Sequence, residues 1–230
     1  MKYGQVIKGQ FLSRPNRFVA QVLAEGREQT VHVKNTGRCR ELLVPGATVY
    51  LEKSSNPARK TAYSLIGVEK GELLINMDSQ APNKVAAEAL AAVLLPLRLQ
   101  GELTHIRPEY SIGDSRLDFL LETPQEKAVM EVKGVTLEQD GVVLFPDAPT
   151  QRDIKHLREL SRLSEEGWRC FLLLVIQMER ADYFTPNDAA HPQFGQALRQ
   201  AKEAGVELLA YTCRVTPDSL ALAKPVPIRL

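Results

Sequence analysis

Leu117-Asp118-Phe119-Leu120-Leu121, Glu122-Thr123-Pro124-Gln125-Glu126-Lys127 and Ala128-Val129-Met130-Glu131-Val132-Lys133 follow one another without a break. Two apolar runs of strand length around a polar, proline-containing turn read as a β-hairpin. Each run carries a carboxylate, Asp118 and Glu131, where an ionised group is costly to bury unless something compensates it. Downstream, Ile154, Leu157, Leu160 and Leu163 give the segment from about Thr150 to Glu166 an apolar helical side, and Gly167 ends it. Cys170-Phe171-Leu172-Leu173-Leu174-Val175-Ile176 is continuously apolar, as expected of a central strand covered on both faces. A helix from Phe194 to Ala204 and a strand from Val206 to Tyr211 complete a strand–helix–strand–helix–strand order. That order predicts an α/β sheet with parallel crossovers.

Upstream the pattern changes. Asn83 to Leu94 is rich in Ala and Leu, with Pro82 near its first turn and Pro96 soon after its end, and predicts a helix. Before it lie short β-rich runs: Val6–Leu12, Arg17–Leu23, Thr30–Lys34, Ala47–Leu51, Thr61–Val68 and Glu72–Ile75. Five or six strands packed so closely predict a small closed barrel, of which the OB-fold is one form. The boundary falls near residues 77–82, giving an all-β domain over 1–80 and an α/β domain over 81–230.

The 230 residues are 44% hydrophobic and 25% charged, ordinary for a globular chain. No apolar stretch has the length of a signal peptide or a membrane span, so a cytoplasmic protein without a membrane partner is expected. Cys39, Cys170 and Cys213 are far apart and form no CxxC pair, which argues for buried thiols rather than a disulfide framework or cysteine-type zinc site. The net charge of +1 hides an asymmetry. Residues 1–75 hold 12 Lys/Arg against 6 Asp/Glu, and residues 76–230 hold 17 against 22. The first part suits phosphates and the second suits cations, although a basic domain is also often only a solvated surface.

Asp118 and Glu131, on adjacent strands of one hairpin, can converge on a divalent cation, and Lys133 shares a strand face with Glu131. Mg²⁺ or Mn²⁺ takes a few carboxylates plus waters and substrate phosphates, while a lysine can orient or deprotonate the attacking water. Phosphodiester hydrolysis needs these functions; the plain alternative is edge-strand charges facing solvent. On the following helix Arg152, His156 and Glu159 share a side, with Lys155 beside it. Arg152 and Lys155 would hold a phosphate and His156 would shuttle a proton, against the alternative of a solvated helix face. In the basic part, Arg14, Arg17, Lys34, Arg38 and Arg40 are candidates for contacts to a nucleic-acid backbone. Phe11, Phe18 and Tyr50 could stack on bases, but aromatic residues in such strands more often belong to the core.

These segments together resemble the sugar fermentation stimulation protein A family. The resemblance is carried by Arg14-Pro15-Asn16-Arg17-Phe18, by His32 to Arg38 with Glu41-Leu42-Leu43 and Pro45-Gly46, and by Pro82-Asn83. It continues through Ser115 to Phe119, Glu131-Val132-Lys133, Phe145 to Leu157 and Gly205-Val206-Glu207. It implies an N-terminal OB-like barrel, a C-terminal domain similar to the PD-(D/E)xK nucleases, DNA binding, and a part in regulating sugar metabolism, maltose in particular. By the resemblance, Asp118, Glu131 and Lys133 are the nuclease-motif positions. The chain departs from the family's usual valine at Pro149, glycine at Asp153 and aspartate at His191; the first two could shift the start of the helix carrying Lys155 and His156. Two readings follow: a nucleic-acid-binding protein, DNA first, with a Mg²⁺- or Mn²⁺-dependent nuclease site, or a non-enzymatic DNA-binding regulator whose carboxylate site is a relic or a metal sensor.

Overall fold

A computed structural model describes residues 1–35, 37–113 and 115–230. Thr36, inside the Asn-Thr-Gly-Arg string quoted above, lies outside the described residues. The first six strands are β1 (Val6–Asn16), β2 (Val19–Ala24), β3 (Arg27–Val33), β4 (Thr48–Lys53), β5 (Tyr63–Lys70) and β6 (Leu73–Asn76). They are ordered β3-β2-β1-β4-β5-β6, and a short parallel pairing of β3 with β5, His32 opposite Ser64, closes the first five into an OB barrel. Closure leaves none of those five as an open edge. The barrel interior is filled by the alternate residues of each strand, among them Phe11, Val22, Val31, Leu51 and Leu65, all essentially inaccessible to solvent.

Helix α1 (Ala81–Ala91) follows, with Pro82 in its first turn. Strands β7 (His105–Ile112), β8 (Ser115–Glu122) and β9 (Lys127–Val135) come next, then the small hairpin β10 (Leu137–Gln139) and β11 (Val142–Phe145). Helix α2 (Gln151–Glu165), β12 (Arg169–Ile176), β13 (Tyr183–Pro186), α3 (Pro192–Glu203), β14 (Glu207–Thr216) and β15 (Ser219–Pro225) complete the chain. The main sheet runs β15-β14-β12-β9-β8-β7. Its centre, β9-β12-β14, is parallel through crossovers α2 and α3, as the periodicity predicted, and both flanks are antiparallel.

The two halves share a core. Barrel residues such as Phe11 and Met77 belong to the same buried cluster as Leu157 and Leu160 of α2, while a second cluster lies beneath α1 on the opposite sheet face. The join is polar as well as apolar. Buried Gln177 donates to Asn76 Oδ1 (2.9 Å) and to the Asp78 carbonyl (3.1 Å). Lys70 of the barrel reaches Glu138 of β10 at 2.6 Å. The first residues of the chain sit on the α/β part rather than the barrel: Lys2 bridges to Ser219 and the Met1 amine donates to the Leu220 carbonyl.

All three cysteines are buried and unpaired, and burial pushes their thiols up to about 12. Among the described residues no helix is long and apolar enough to cross a membrane.

Candidate active site and basic surface

The site begins where β8 parts from β9. Their ladder runs from Glu122 opposite Lys127 to Phe119 opposite Met130 and then ends. At the next residue a side chain takes over from the backbone: Asp118 Oδ2 accepts from the Val132 amide at 2.7 Å, and Oδ1 accepts from Asn83 Nδ2 of α1 at 2.7 Å. Burial and then the charge of Glu131 push the Asp118 carboxyl above the usual aspartate range; the two hydrogen bonds and Lys133 offset this only in part.

Glu131 and Lys133 lie on the central strand β9, opposite Leu172 and Leu174 of β12, and both face α2. Thr150 caps that helix, its hydroxyl accepting from the Asp153 amide at 3.4 Å. The cap starts α2 at Gln151, so Pro149 and Asp153 do not displace it from the expected position. Asp153 thereby stands one turn before His156, which the amphipathic pattern turns inward. The Lys133 ammonium lies 2.8 Å from Glu131 Oε1, contacts Asp153 Oδ1, and is 3.5 Å from His156 Nδ1. His156 Nδ1 also contacts Glu131 Oε1.

Burial disfavours the charge on both Glu131 and Lys133, yet neighbours reverse the outcome. Glu131 is held below the ordinary glutamate range by His156 and Lys133, and Lys133 above the ordinary lysine range by Glu131 and Asp153. Lys133 is therefore a firmly charged ammonium, suited to orienting a water or phosphate rather than taking a proton. One atom is left over: Glu131 Oε2 is buried with no hydrogen-bond partner. Among the described residues no three His, Cys, Asp or Glu side chains gather into a ready-made metal cage. The donor set is two carboxylates, the number with which Mg²⁺ commonly binds while keeping its waters.

The remaining candidates divide. Arg152 and Lys155 are exposed on α2, whereas His156 is buried. On the barrel, Arg17, Arg38 and Arg40 line one open bowl of about 410 Å³ together with Arg14. The Arg14 guanidinium, however, donates to four carbonyls, those of Gly37, Arg38, Arg17 and Asn35, at 2.6–2.9 Å. Its place is to shape the loop. Lys34 is pinned to Glu52 (2.8 Å) and Asp78 (3.1 Å), away from the bowl. Phe11 is core and the Tyr50 hydroxyl is engaged by Glu69 at 2.6 Å, which leaves Phe18, half exposed, as the accessible ring.

Sequence reasoning did not assign roles to Asn83, Asp147 or Asp153. Asn83 holds Asp118, Asp153 holds Lys133, and Asp147 accepts from the Arg38 amide at 3.2 Å, joining the barrel loop to the α/β part. A cavity of about 380 Å³ lies at this junction, walled by Asn35 and Gly37 on one side and by Phe145, Asp147 and Asp153 on the other.

The family model described as the sugar fermentation stimulation protein RE domain matches residues 80–219, and that of the SfsA N-terminal OB domain matches residues 12–77. The chain belongs to the sugar fermentation stimulation protein family. A sugar fermentation stimulation protein homolog of Desulfitobacterium hafniense (strain Y51) is 53% identical over 230 residues, covering 100% of this chain and 99% of the relative. Its counterpart in Clostridium beijerinckii is 50% identical with full coverage of both chains. The solved structure of Pyrococcus furiosus SfsA in complex with Ca²⁺ superposes with a TM-score of 0.89 at 27% identity, covering 100% of this chain and 98% of the other. The family relationship spans both the barrel and the α/β part.

Proposed function

We propose that this family member is a cytoplasmic nucleic-acid-binding protein, DNA first, whose α/β part carries a divalent-metal phosphodiesterase site. The observation that carries the reading is the idle, buried Oε2 of Glu131, a carboxylate oxygen without a protein donor, close to the carboxylate of Asp118. Asp118 and Glu131 would hold Mg²⁺ or Mn²⁺; the Ca²⁺ in complex with the Pyrococcus furiosus relative is another hard cation of the same ligand preference. Such an ion supplies charge for a phosphoryl oxygen and a more acidic water. The chain's own groups do the rest. Lys133, fixed between Glu131 and Asp153, offers a permanent positive charge to a phosphate, His156 Nδ1 stands ready to pass a proton along the Glu131 edge, and Arg17, Arg38 and Arg40 attract the polyanion. The family's connection to sugar, including maltose, would then act at the level of nucleic acid.

The test is a cleavage assay with purified protein, Mg²⁺ or Mn²⁺, and duplex, single-stranded and branched DNA. Metal-dependent cleavage that Asp118→Asn removes is expected. Binding without cleavage by any metal and substrate would leave the regulator reading.

A further inference from the structure

The arginine bowl and the cavity between the two parts meet at Gly37, which lines both. Gly37 is needed there because no side chain would fit: Arg14 binds its carbonyl at 2.8 Å, and an added Cβ would sit 2.5 Å from Asp147 Oδ2 and 2.9 Å from Asn35 Oδ1. Beyond Gly37 the cavity ends against Asp153, whose carboxylate holds Lys133. The linings of the bowl and the cavity therefore run from exposed cations, past Gly37, to Asp153, the carboxylate that holds Lys133. Resting on the function proposed above, we infer that the substrate is single-stranded nucleic acid, its bases stacking at Phe18 and its backbone passing over Gly37 into the cavity.

Two observations favour a single strand over a duplex. The first is Phe18. Its ring is 50% exposed on the turn between β1 and β2, and the Arg17 guanidinium carbon lies 5.0 Å from the ring centre. A lone exposed phenylalanine is unremarkable, but an exposed ring coupled to a cation at the rim of a basic bowl offers a stacking face beside a phosphate contact. Paired bases within a duplex have no free face to give it. The second is depth. The Glu131 and Lys133 side chains retain 3% and 10% of their accessible surface. A duplex held at the rim presents its phosphates on a stiff, wide cylinder, and these would stop at the surface. One strand can turn about its backbone bonds and lower a single nucleotide into the cavity, whose volume is within the range of about 300–1,000 Å³ common for ligand sites. Half-buried Phe145 on its wall gives an apolar face for the base, and Asn35, Asp147 and Thr150 give polar edges.

The experiment measures fluorescence anisotropy with the full chain in chelator, so that cleavage plays no part. The probes are a labelled strand of about 12 nucleotides, within the site size of one OB barrel, and its blunt duplex. The strand should bind at least about tenfold more tightly, and Phe18→Ala should reduce that affinity about tenfold while leaving the duplex unchanged. Phe18→Trp should restore it. A strand carrying 5-iodouracil, which photocrosslinks to aromatic rings, should label both Phe18 and Phe145. Equal or tighter duplex binding, or indifference to Phe18→Ala, overturns the inference while the phosphodiesterase reading stands. Labelling at Phe18 alone overturns the path through the cavity. If neither probe binds, the nucleic-acid function falls and this inference with it.

Discussion

Of the two oxygens of Glu131, Oε1 faces Lys133 and His156, whereas Oε2 is enclosed and unpartnered. An unsatisfied buried carboxylate oxygen costs free energy, and a bound cation would remove that cost. Lys133 plays the opposite part: its positive charge already lies against Oε1 and competes for the same electrons. Lys133→Ala should therefore leave divalent-metal affinity unchanged or raised, seen by calorimetry, while slowing cleavage by roughly a hundredfold or more, since electrostatic stabilisers are typically worth that much. Loss of metal binding in that variant would contradict the assignment. The motif itself was legible in the sequence, because two acids in apolar strands and a lysine on the same strand face are a local pattern. Asn83 and Asp153 were not, since each reaches the motif across a tertiary contact that no spacing rule encodes. Lys34 and Arg14 show the converse. Their charge suggested phosphate contacts, but charge does not reveal that Glu52, Asp78 and four carbonyls engage them first.

Among the elements, those with a strong period or a continuous apolar run were readable and those with neither were not. The β8–β9 hairpin, α2, β12 and α3 fall within three residues of expectation, and β14 starts within one residue of expectation but runs five residues further, to Thr216. Strand β7 escaped because it is an edge strand with Pro108 inside and most residues exposed. The hairpin β10–β11 is too short for a period, although Asp140-Gly141 at its turn, both at positive φ, is the kind of signal that marks one. Strand β9 also carries a constraint at its end. A Cβ on Gly134 would lie 2.5 Å from Gln177 Oε1 and 2.7 Å from Pro82 Cγ. Gln177 cannot yield easily, because its amide is bound to Asn76 and Asp78. Gly134→Ala should thus destabilise the protein by about 1–3 kcal/mol in urea unfolding. By pressing on Pro82 it should also disturb Asn83, the partner of Asp118. An unchanged midpoint would show that α1 is more loosely seated than described.

At the scale of the whole molecule, the barrel and the α/β part are held by a shared core and by the Lys70–Glu138 pair. Burial pushes the Glu138 carboxyl up, but Lys70 and the Gly141 amide outweigh it and hold it below the ordinary glutamate range. A depressed carboxyl contributes stability that is present above its unfolded value of about 4.3 and lost as pH falls through the lower folded value. Asp118, shifted upward, works in the opposite sense and gains from protonation. Glu138→Gln should cost about 1–2 kcal/mol near neutrality, less than the ~3–5 kcal/mol of a fully buried pair, because Lys70 is 32% exposed. The difference from the wild type should shrink as pH falls below about 4.3 and close below the lower folded value; a gap that persists in acid, where the fold survives, would mean that packing, not charge, makes the contribution. The central claim, that Asp118 and Glu131 form a divalent-cation site, is tested most directly by calorimetric titration of Mn²⁺ into the full-length protein and its Asp118→Asn variant, with nucleic acid present. Saturable binding by the wild type and none by the variant is the predicted result; no binding by the wild type, or equal binding by both, would contradict it.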